Sequence, residues 1–369
     1  MLWEGDATSV REAVERGAAA VSLERADLTG LDLAGVRLKG ARLDGASFEG
    51  SRLTGACLRL ASARQARFAH ADLFDVDARG AILSRAVFDA AQLAAANFDG
   101  AHLPGASLVG ARIGNATMWR VNLEGADLAG SRASGARLTG ANLNSACLER
   151  VRWRRVDLSR SRLERARAAE ADLSECRLRR VVLADATLVG ARLAGADLCS
   201  TVFARVRASH ADLTGARAAD ADFDGADISH AVLDGLDAPN ATFRGADLSG
   251  VWAPALTARA ADFEGALGTT AMFAQAKLRF ARFAGCSFEG ATLDRADLYG
   301  ADLRGAHFPN ASLMGARAAR ATFDGTDLEG AYIDRMILSQ PFPVSALAGT
   351  FGTPTPCATI RRGTPDPAL

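Results

Sequence analysis

The sequence "ADLYGADLRG", residues 296–305, contains one five-residue pattern twice. Ala fills the first place, Leu298 and Leu303 fill the third places, and Gly fills the fifth. Counted in fives from Val21, this phase continues to Leu338 without a slip, and the third place is mostly Leu or Phe. Most of the 36 glycines fall in the fifth place. The chain is therefore an array of pentapeptides rather than a set of ordinary helices and strands.

A period of five fits neither a helix nor a plain strand. Five residues of α-helix turn through about 500°, so no face of a helix could stay apolar. In a flat strand, residues that are five apart point to opposite sides. The pattern instead predicts a coil that turns a corner once per repeat, with the first and third places inside and the other three outside. Glycine at the corner allows the positive φ of a tight turn.

Pentapeptides at 26–30, 126–130 and 141–145 ("ADLTG", "ADLAG" and "ANLNS") resemble the A(D/N)LXX motif of the pentapeptide-repeat family. The resemblance covers about residues 21–338 and implies an all-β fold, the right-handed quadrilateral β-helix. With four pentapeptides in each coil, this segment would form about 16 coils. One departure from the motif is the frequent Arg at the second place, as at Arg37 and Arg42.

Four repeats per coil would stack residues that lie 20 apart in the sequence. Third-place phenylalanines show this spacing in two series, which are Phe48, Phe68 and Phe88, and Phe203, Phe223, Phe243, Phe263 and Phe283. We therefore expect two inward columns of rings at the strand spacing of about 4.8 Å.

One segment of the predicted solenoid has small inward residues. The third place is underfilled at Ala238, Ala253, Ala258 and Gly268. Pro239 and Pro254 remove N–H donors that strand pairing could use. We expect irregular turns near residues 251–271.

Both ends of the array are expected to be capped, because an open end would expose the core of a solenoid. The predicted domains are an N-terminal helical cap at 1–20, the β-helix at 21–338, and a C-terminal cap with a disordered Pro-rich tail at 339–369. In the first of these, Ser9 is a candidate N-cap residue with Glu12 three residues later.

The composition points away from several classes of function. Lys plus Arg and Asp plus Glu both total 43, so no global charge indicates a nucleic-acid partner. The six cysteines lack a CxxC pair, and we find neither a signal peptide nor an apolar run of about 18 residues. We expect a cytoplasmic protein with no membrane partner, no direct nucleic-acid binding, no cofactor and no catalytic residues.

Cysteine and histidine offer few ligand groups. Cys176 and Cys286 occupy the small inward place and are expected to be packing residues, and three others are expected to be surface thiols: Cys57, Cys147 and Cys199. His210 and His230 lie one predicted coil apart at the same corner and could share a metal ion. Zinc usually takes three or four protein ligands, so no metal site is assigned and the question stays open for this pair.

A charge belt fills the corners between Gly140 and Gly190, where no other glycine occurs. Stacked one coil apart, three corner pairs would carry opposite charges: Arg150 with Glu170, Arg155 with Glu175, and Arg165 with Asp185. Arg160 alone would face a like charge. We interpret the belt as solvated ion pairs; the alternative is an anion site formed by Arg160, Arg177, Arg179 and Arg180.

An apolar stripe is the candidate protein-binding site. Val232, Trp252 and Met272 are 20 apart and occupy the outward second place, which is usually polar, and Tyr332 lies further along the same column. Asp234 and Asp247 would form an acidic rim. Apolar centres with charged rims are common in protein interfaces. The alternative is that Trp252 only fills space left by Ala253.

These features favour a non-enzymatic binding or scaffold protein that presents a rigid solenoid surface to protein partners. The resemblance implies a bacterial, cytoplasmic protein, and an adaptor in a larger assembly such as a secretion apparatus is one role. The alternative that the resemblance implies is a DNA-mimicking binder of DNA gyrase or a related topoisomerase, which would protect it from topoisomerase poisons. The many Asp residues between Asp212 and Asp247 are the feature that favours it. The sequence also allows a homodimer formed through one terminus.

Overall fold

A computed structural model of the protein describes residues 8–10, 12, 22–338, 350 and 355–356. The chain divides into two compact units, Met1–Asp222 and Phe223–Leu369, and each is described by itself. Both units are built from the same all-β repeat.

Parallel bridges join second-place residues that are 20 apart in both units. In the first unit Ser22 pairs with Arg42, and in the second unit Trp252 pairs with Met272. Each coil therefore contains four pentapeptides, and each column of second-place residues defines one of four faces. The register predicted from the sequence is confirmed for the described residues of each unit.

The backbone hydrogen bonds explain why the pattern has five places. The third-place N–H of Leu23 donates to the second-place carbonyl of Arg42 at 2.7 Å, one coil away. The fifth-place N–H of Arg25 donates to Asp44 O at 2.9 Å, and the first-place N–H of Ala26 closes the turn on Leu23 O at 3.1 Å. Second-place N–H groups bond back to the preceding coil. Only the fourth-place N–H stays outside this ladder.

The corners hold positive φ whether or not glycine is present. Gly30 has a φ of 70°, and the charged corner residues Arg150 and Glu170 have 55° and 56°. Left-handed backbone is unfavourable for residues with a Cβ. The neighbouring ladder bonds must therefore offset that cost at each non-glycine corner.

The inward places form the core of each unit. First-place Ala and third-place Leu or Phe are buried, while the other places are mostly half-buried or exposed. In the first unit the rings of Phe48 and Phe68 stack with centroids 5.0 Å apart, and Phe88 continues the column at 4.9 Å. The second unit stacks four rings with centroids 4.8–4.9 Å apart: Phe223, Phe243, Phe263 and Phe283. Phe203 belongs to the first unit.

The expected irregular turns near 251–271 are absent from the described chain, which keeps the regular repeat there. Pro239 and Pro254 occupy the fourth place, whose N–H has no ladder partner, so proline removes nothing from the pairing. The small third-place residue Gly268 is not an unfilled space either, because the ring of Phe288 lies against it. The prediction failed because inward volume is shared between neighbouring coils.

The ends of the array are described only in part. Residues 8–10 and 12 are helical, and Val10 is buried, within the predicted N-terminal cap. Strand β1, Ile337–Leu338, pairs in parallel with strand β2, Thr355–Pro356, which lies in the predicted Pro-rich tail. The other residues of both predicted caps lie outside the described residues. In the described part of the chain, no helix is long and apolar enough to cross a membrane.

Candidate functional site

The apolar stripe lies on one face of the second unit, and we call it the Trp252 face after its second-place column: Val232, Trp252, Met272, Thr292, Ser312 and Tyr332. The strand beneath the stripe is paired on both sides: Trp252 N–H donates to Ala231 O at 3.0 Å on the preceding coil, and Trp252 also bridges to Met272 on the following coil, where Met272 N–H donates to Val251 O at 2.9 Å. The stripe is therefore held on regular β-structure rather than on a loop.

The stripe is exposed where the sequence predicted an interface. Trp252 is 49% exposed and Met272 is 43% exposed, and Val232 next to them is half-buried. Tyr332 is also exposed, but polar Thr292 and Ser312 separate it from the stripe. The contiguous apolar surface is thus the three-residue stripe, and Tyr332 lies apart from it on the same face.

The alternative interpretation of Trp252 is not supported by its geometry. Trp252 occupies an outward place and is half exposed, whereas Ala253 points inward and is fully buried. Successive side chains of a strand point to opposite sides. The indole therefore cannot fill the interior space beside Ala253.

The acidic rim is present near the stripe. Asp234 lies in the fourth place of the Trp252 face. Asp247 lies on the adjacent face, where it pairs with Leu267, and its carboxylate accepts the N–H of Ser249 at 2.9 Å. Asp234 therefore shares the face of Trp252, whereas Asp247 does not.

The alternative anion site in the first unit does not collect four free cations. Arg177 lies 3.8 Å from Asp157, and Arg179 lies 3.3 Å from Asp197, which raises the pKa of Arg179 through the hydrogen bond between them. Arg160 and Arg180 form no ion pair with a described residue. Carboxylates therefore already neutralise half of the proposed site.

The corner ion pairs of the charge belt are confirmed in two of three cases. Arg150 pairs with Glu170 at 3.0 Å and Arg155 with Glu175 at 2.7 Å. The hydrogen bond from Arg155 also lowers the pKa of Glu175. The third expected pair is wrong: Asp185 binds Arg205 on the following coil at 2.7 and 2.9 Å, instead of Arg165. Arg205 can approach with two parallel N–H groups, which is the stronger geometry.

Two of the three expected surface thiols are buried. Cys147 and Cys199 are each 6% exposed, and Cys57 is intermediate. Cys147 is a small residue between the second-place side chains of Asp127 and Arg167, and Cys199 Sγ donates to Arg217 O at 3.9 Å. An outward place therefore does not guarantee exposure for a side chain that is shorter than its neighbours.

The remaining thiols and histidines match no assembled site. Cys176 and Cys286 are buried as expected, and burial raises the pKa of Cys176 to about 12. His210 and His230 belong to different units, and the ring of His230 lies against Gly250. Within the described residues, no group of three or more His, Cys, Asp or Glu is placed to hold a metal ion.

The sequence reading missed an aromatic and basic cluster on another face of the second unit. Phe280 and Tyr299 contact each other edge to face, with ring centroids 5.6 Å apart and arginines beside both rings. The fourth and fifth places of this face bring Arg259 and Arg279 to the ring of Phe280, although 20 residues of mixed charge separate the two arginines in the sequence.

The comparison with protein families settles the class of repeat. The model described as "Pentapeptide repeats" matches eight times, over residues 22–59, 86–118, 120–154, 146–185, 182–217, 221–252, 271–308 and 296–334. The chain belongs to the pentapeptide-repeat family. The family resemblance seen in the sequence is thereby confirmed.

Solved structures include other pentapeptide-repeat proteins. HetL from the cyanobacterium Nostoc sp., involved in heterocyst differentiation regulation, is 26% identical, with 67% of this chain and 97% of HetL covered and a TM-score of 0.24. QnrB1, a plasmid-mediated fluoroquinolone resistance protein, is 18% identical, with 64% and 88% covered and a TM-score of 0.32. A protein from the Arabidopsis thaliana thylakoid lumen is 28% identical, with 31% and 66% covered and a TM-score of 0.11. The search of curated proteins finds no match.

Proposed function

We propose that this pentapeptide-repeat protein is a non-enzymatic scaffold that binds a protein partner through the Trp252 face. The single observation that carries the proposal is the exposed stripe of Trp252 and Met272 on regular β-structure. A half-exposed Trp on a rigid surface gains much free energy when a partner covers it, at little cost in conformational entropy. We also propose that the solenoid is right-handed, has about 16 coils and is capped at both ends. We propose further that the protein is bacterial and cytoplasmic.

The proposed role is that of an adaptor in a larger assembly, such as a secretion apparatus. The Trp252 face is flat rather than concave, which suits a protein surface better than a small molecule. The acidic rim of Asp234 and Asp247 favours a partner with basic residues around an apolar centre. Self-association through one terminus is a second arrangement of the same scaffold role.

The test compares two tryptophans of equal exposure. Trp252 and Trp119 are both 49% exposed, but Trp119 lies in the first unit, where Arg120 stacks over it with its guanidinium carbon 4.3 Å from the ring centroid. We expect Trp252→Ala to remove the partner retained by the tagged wild-type protein, and Trp119→Ala to retain it. Thermal melts of both variants should match the wild type within a few degrees. Retention of the same partner by Trp252→Ala would refute the proposal.

The DNA-mimic alternative has weaker support in the described geometry. In the second unit Asp227 and Asp247 share one column, whereas Asp234 and Asp237 lie on two other faces. Beyond Asp247 the next second places of that column hold Leu267 and Ser287, so these carboxylates do not form one continuous track of negative charge. A gyrase supercoiling assay with added protein should therefore show neither inhibition nor protection, and either effect would favour the alternative.

A further inference from the structure

Charge in the second unit is separated by face, although the whole chain is neutral. We call one surface the Lys277 face. Its cations are Arg259, Lys277, Arg279, Arg317 and the corner residue Arg320, and its carboxylates are Asp237 and Asp297. The opposite face of the coil has no Lys or Arg in its second and fourth places, where His307 lies 3.6 Å from Asp327. The acidic residues in those places are Asp227, Asp247, Glu289, Asp327 and Glu329. The Lys277 face is therefore a basic strip.

Most cations of this strip are not neutralised. Arg259, Lys277, Arg279 and Arg317 form no ion pair with any residue that the structure describes. The carboxylate of Asp297 is turned to the backbone and accepts the N–H of Tyr299 at 3.2 Å. The Nε–H of Arg279 is buried without a hydrogen-bond partner among the described residues. This pattern differs from the charge belt of the first unit, where arginines meet carboxylates.

Two aromatic rings hold the arginines in place. The guanidinium carbon of Arg279 lies 4.9 Å from the ring centroid of Tyr299 and 5.9 Å from that of Phe280. Arg259 lies 5.6 Å from Phe280, and Arg320 lies 5.6 Å from Tyr299. Such contacts reduce the freedom that long cationic side chains would lose on binding. The cations are thus partly ordered before any ligand arrives.

The exposed ring narrows the choice of ligand. Phe280 is 42% exposed at the corner of this strip. Cations alone would suit any polyanion, and the exposed ring adds a surface on which a planar base can stack. Basic strips with interleaved aromatic residues are the usual surface for single-stranded nucleic acid, and a flat β-face has no element that could enter a duplex groove.

We propose that the Lys277 face binds single-stranded nucleic acid, with its arginines and Lys277 on phosphates and Phe280 stacked on a base. This inference goes beyond the scaffold role and uses a different face of the second unit. It also differs from the expectation drawn from net charge, because phosphate contacts depend on the local arrangement of cations rather than on the total.

Binding can be measured by fluorescence anisotropy of labelled oligo-dT and oligo-U at roughly 50 and 200 mM salt. We expect binding at the lower concentration and a steep loss at the higher one. Arg317→Ala should weaken binding and reduce the salt slope by about 1. Arg304→Ala is the matched control, since it removes the same charge from another face, where Arg304 is bonded to Asp302. Trp252→Ala should bind the oligonucleotides like the wild type.

The stacking step has its own variant, Phe280→Leu. The fold accepts leucine at such a corner, because Leu60 occupies a fifth place in the first unit and lies over Gly80 as Phe280 lies over Gly300 in the second. We expect Phe280→Leu to weaken oligonucleotide binding about fivefold or more and to leave heparin binding unchanged. The proposal is overturned by absent binding at low salt, by equal losses in Arg317→Ala and Arg304→Ala, or by no effect of Phe280→Leu. Polyglutamate that binds as tightly as oligo-dT would overturn it in favour of an acidic protein.

Discussion

Gly268 lies against the ring of Phe288, one coil away, so closely that a Cβ added to Gly268 would overlap the ring atoms. The glycine lacks a positive φ and occupies an inward third place, which mostly holds Leu or Phe elsewhere. Because Gly268 has no side chain, the ring of Phe288 on the adjacent coil can occupy the space beside it. Glycine is therefore needed here because a Cβ would have no room, and not because the backbone requires a positive φ.

This relationship predicts that Gly268→Ala destabilises the second unit by about 1–3 kcal/mol, because the added methyl group overpacks the core. Gly114→Ala is the control, since Gly114 also lacks a positive φ and its added Cβ would lie 3.7 Å from Ser134 O in ordinary contact. Urea unfolding midpoints should fall for the first variant and stay near the wild type for the second. Adding Phe288→Leu to Gly268→Ala should recover part of the loss, and no recovery would contradict the packing explanation.

A buried tryptophan in the first unit shows the same exchange of volume between coils. Trp153 fills an inward place, and its Nε1–H donates to Ser131 Oγ at 3.0 Å, beside the small residue Ala133 of the preceding coil. Ser131→Ala should cost about 1–3 kcal/mol, because it leaves a buried N–H without a partner. In a Trp153→Phe background the same serine change should cost clearly less. Equal costs in both backgrounds, measured by urea unfolding, would show that the hydrogen bond contributes nothing.

The five-residue period alone predicts part of the fold and of the candidate site. The period of five places Leu and Phe inside and fixes which residues are stacked, so the Phe223 column and the position of Trp252 followed from counting alone. Tertiary packing decided the rest. Whether Asp185 binds Arg165 or Arg205 depends on side-chain geometry, since both lie one coil away from it.

The basic strip was missed for a different reason. Arg259 and Arg279 are separated by 20 residues of mixed charge, and the total charge of the chain is zero. Only the register of the coil brings them to one face beside Phe280. In a solenoid, the register decides which charges share a face. Binding of a charged partner is therefore better predicted from the charge of each column than from the net charge of the chain.

Asp302 should make the second unit sensitive to acid. Hydrogen bonds from Arg304, with Nη2 at 2.7 Å and Nε at 2.8 Å, outweigh partial burial and lower the pKa of Asp302 to about 2. A carboxyl group with a folded-state pKa below its unfolded value of about 3.9 stabilises the fold above that value and loses this effect as the pH falls. Asp302→Asn should therefore lower the urea midpoint at pH 6 and flatten its decline between about pH 4 and pH 2.

The control for this pH effect is Asp234→Asn, because Asp234 has no hydrogen bond or ion pair with a described residue. Its unfolding midpoint should follow the wild-type pH curve. An Asp302→Asn protein whose curve runs parallel to that of the wild type over the whole range would show that the contact with Arg304 does not contribute.

The last prediction concerns where the repeat accepts proline. Within 22–338 every proline occupies a fourth place: Pro104, Pro239, Pro254 and Pro309. The fourth-place N–H lies outside the ladder, so proline at this place removes no donor from the pairing. In contrast, the second-place N–H of Lys277 donates to Leu256 O at 2.7 Å. Two neighbouring pentapeptides can therefore test both places.

Ala274 and Lys277 are the positions for that test. Ala274 lies in the same fourth-place column as Pro254, one coil further on. Ala274→Pro should change the stability by less than about 1 kcal/mol in either direction, because proline there removes no ladder bond and restricts the unfolded chain. Lys277→Pro should cost about 3 kcal/mol or more, since it breaks a ladder bond between coils. Lys277→Ala separates the loss of the side chain from the loss of the N–H. Similar unfolding midpoints for the two proline variants would show that the ladder assignment of the five places is incorrect.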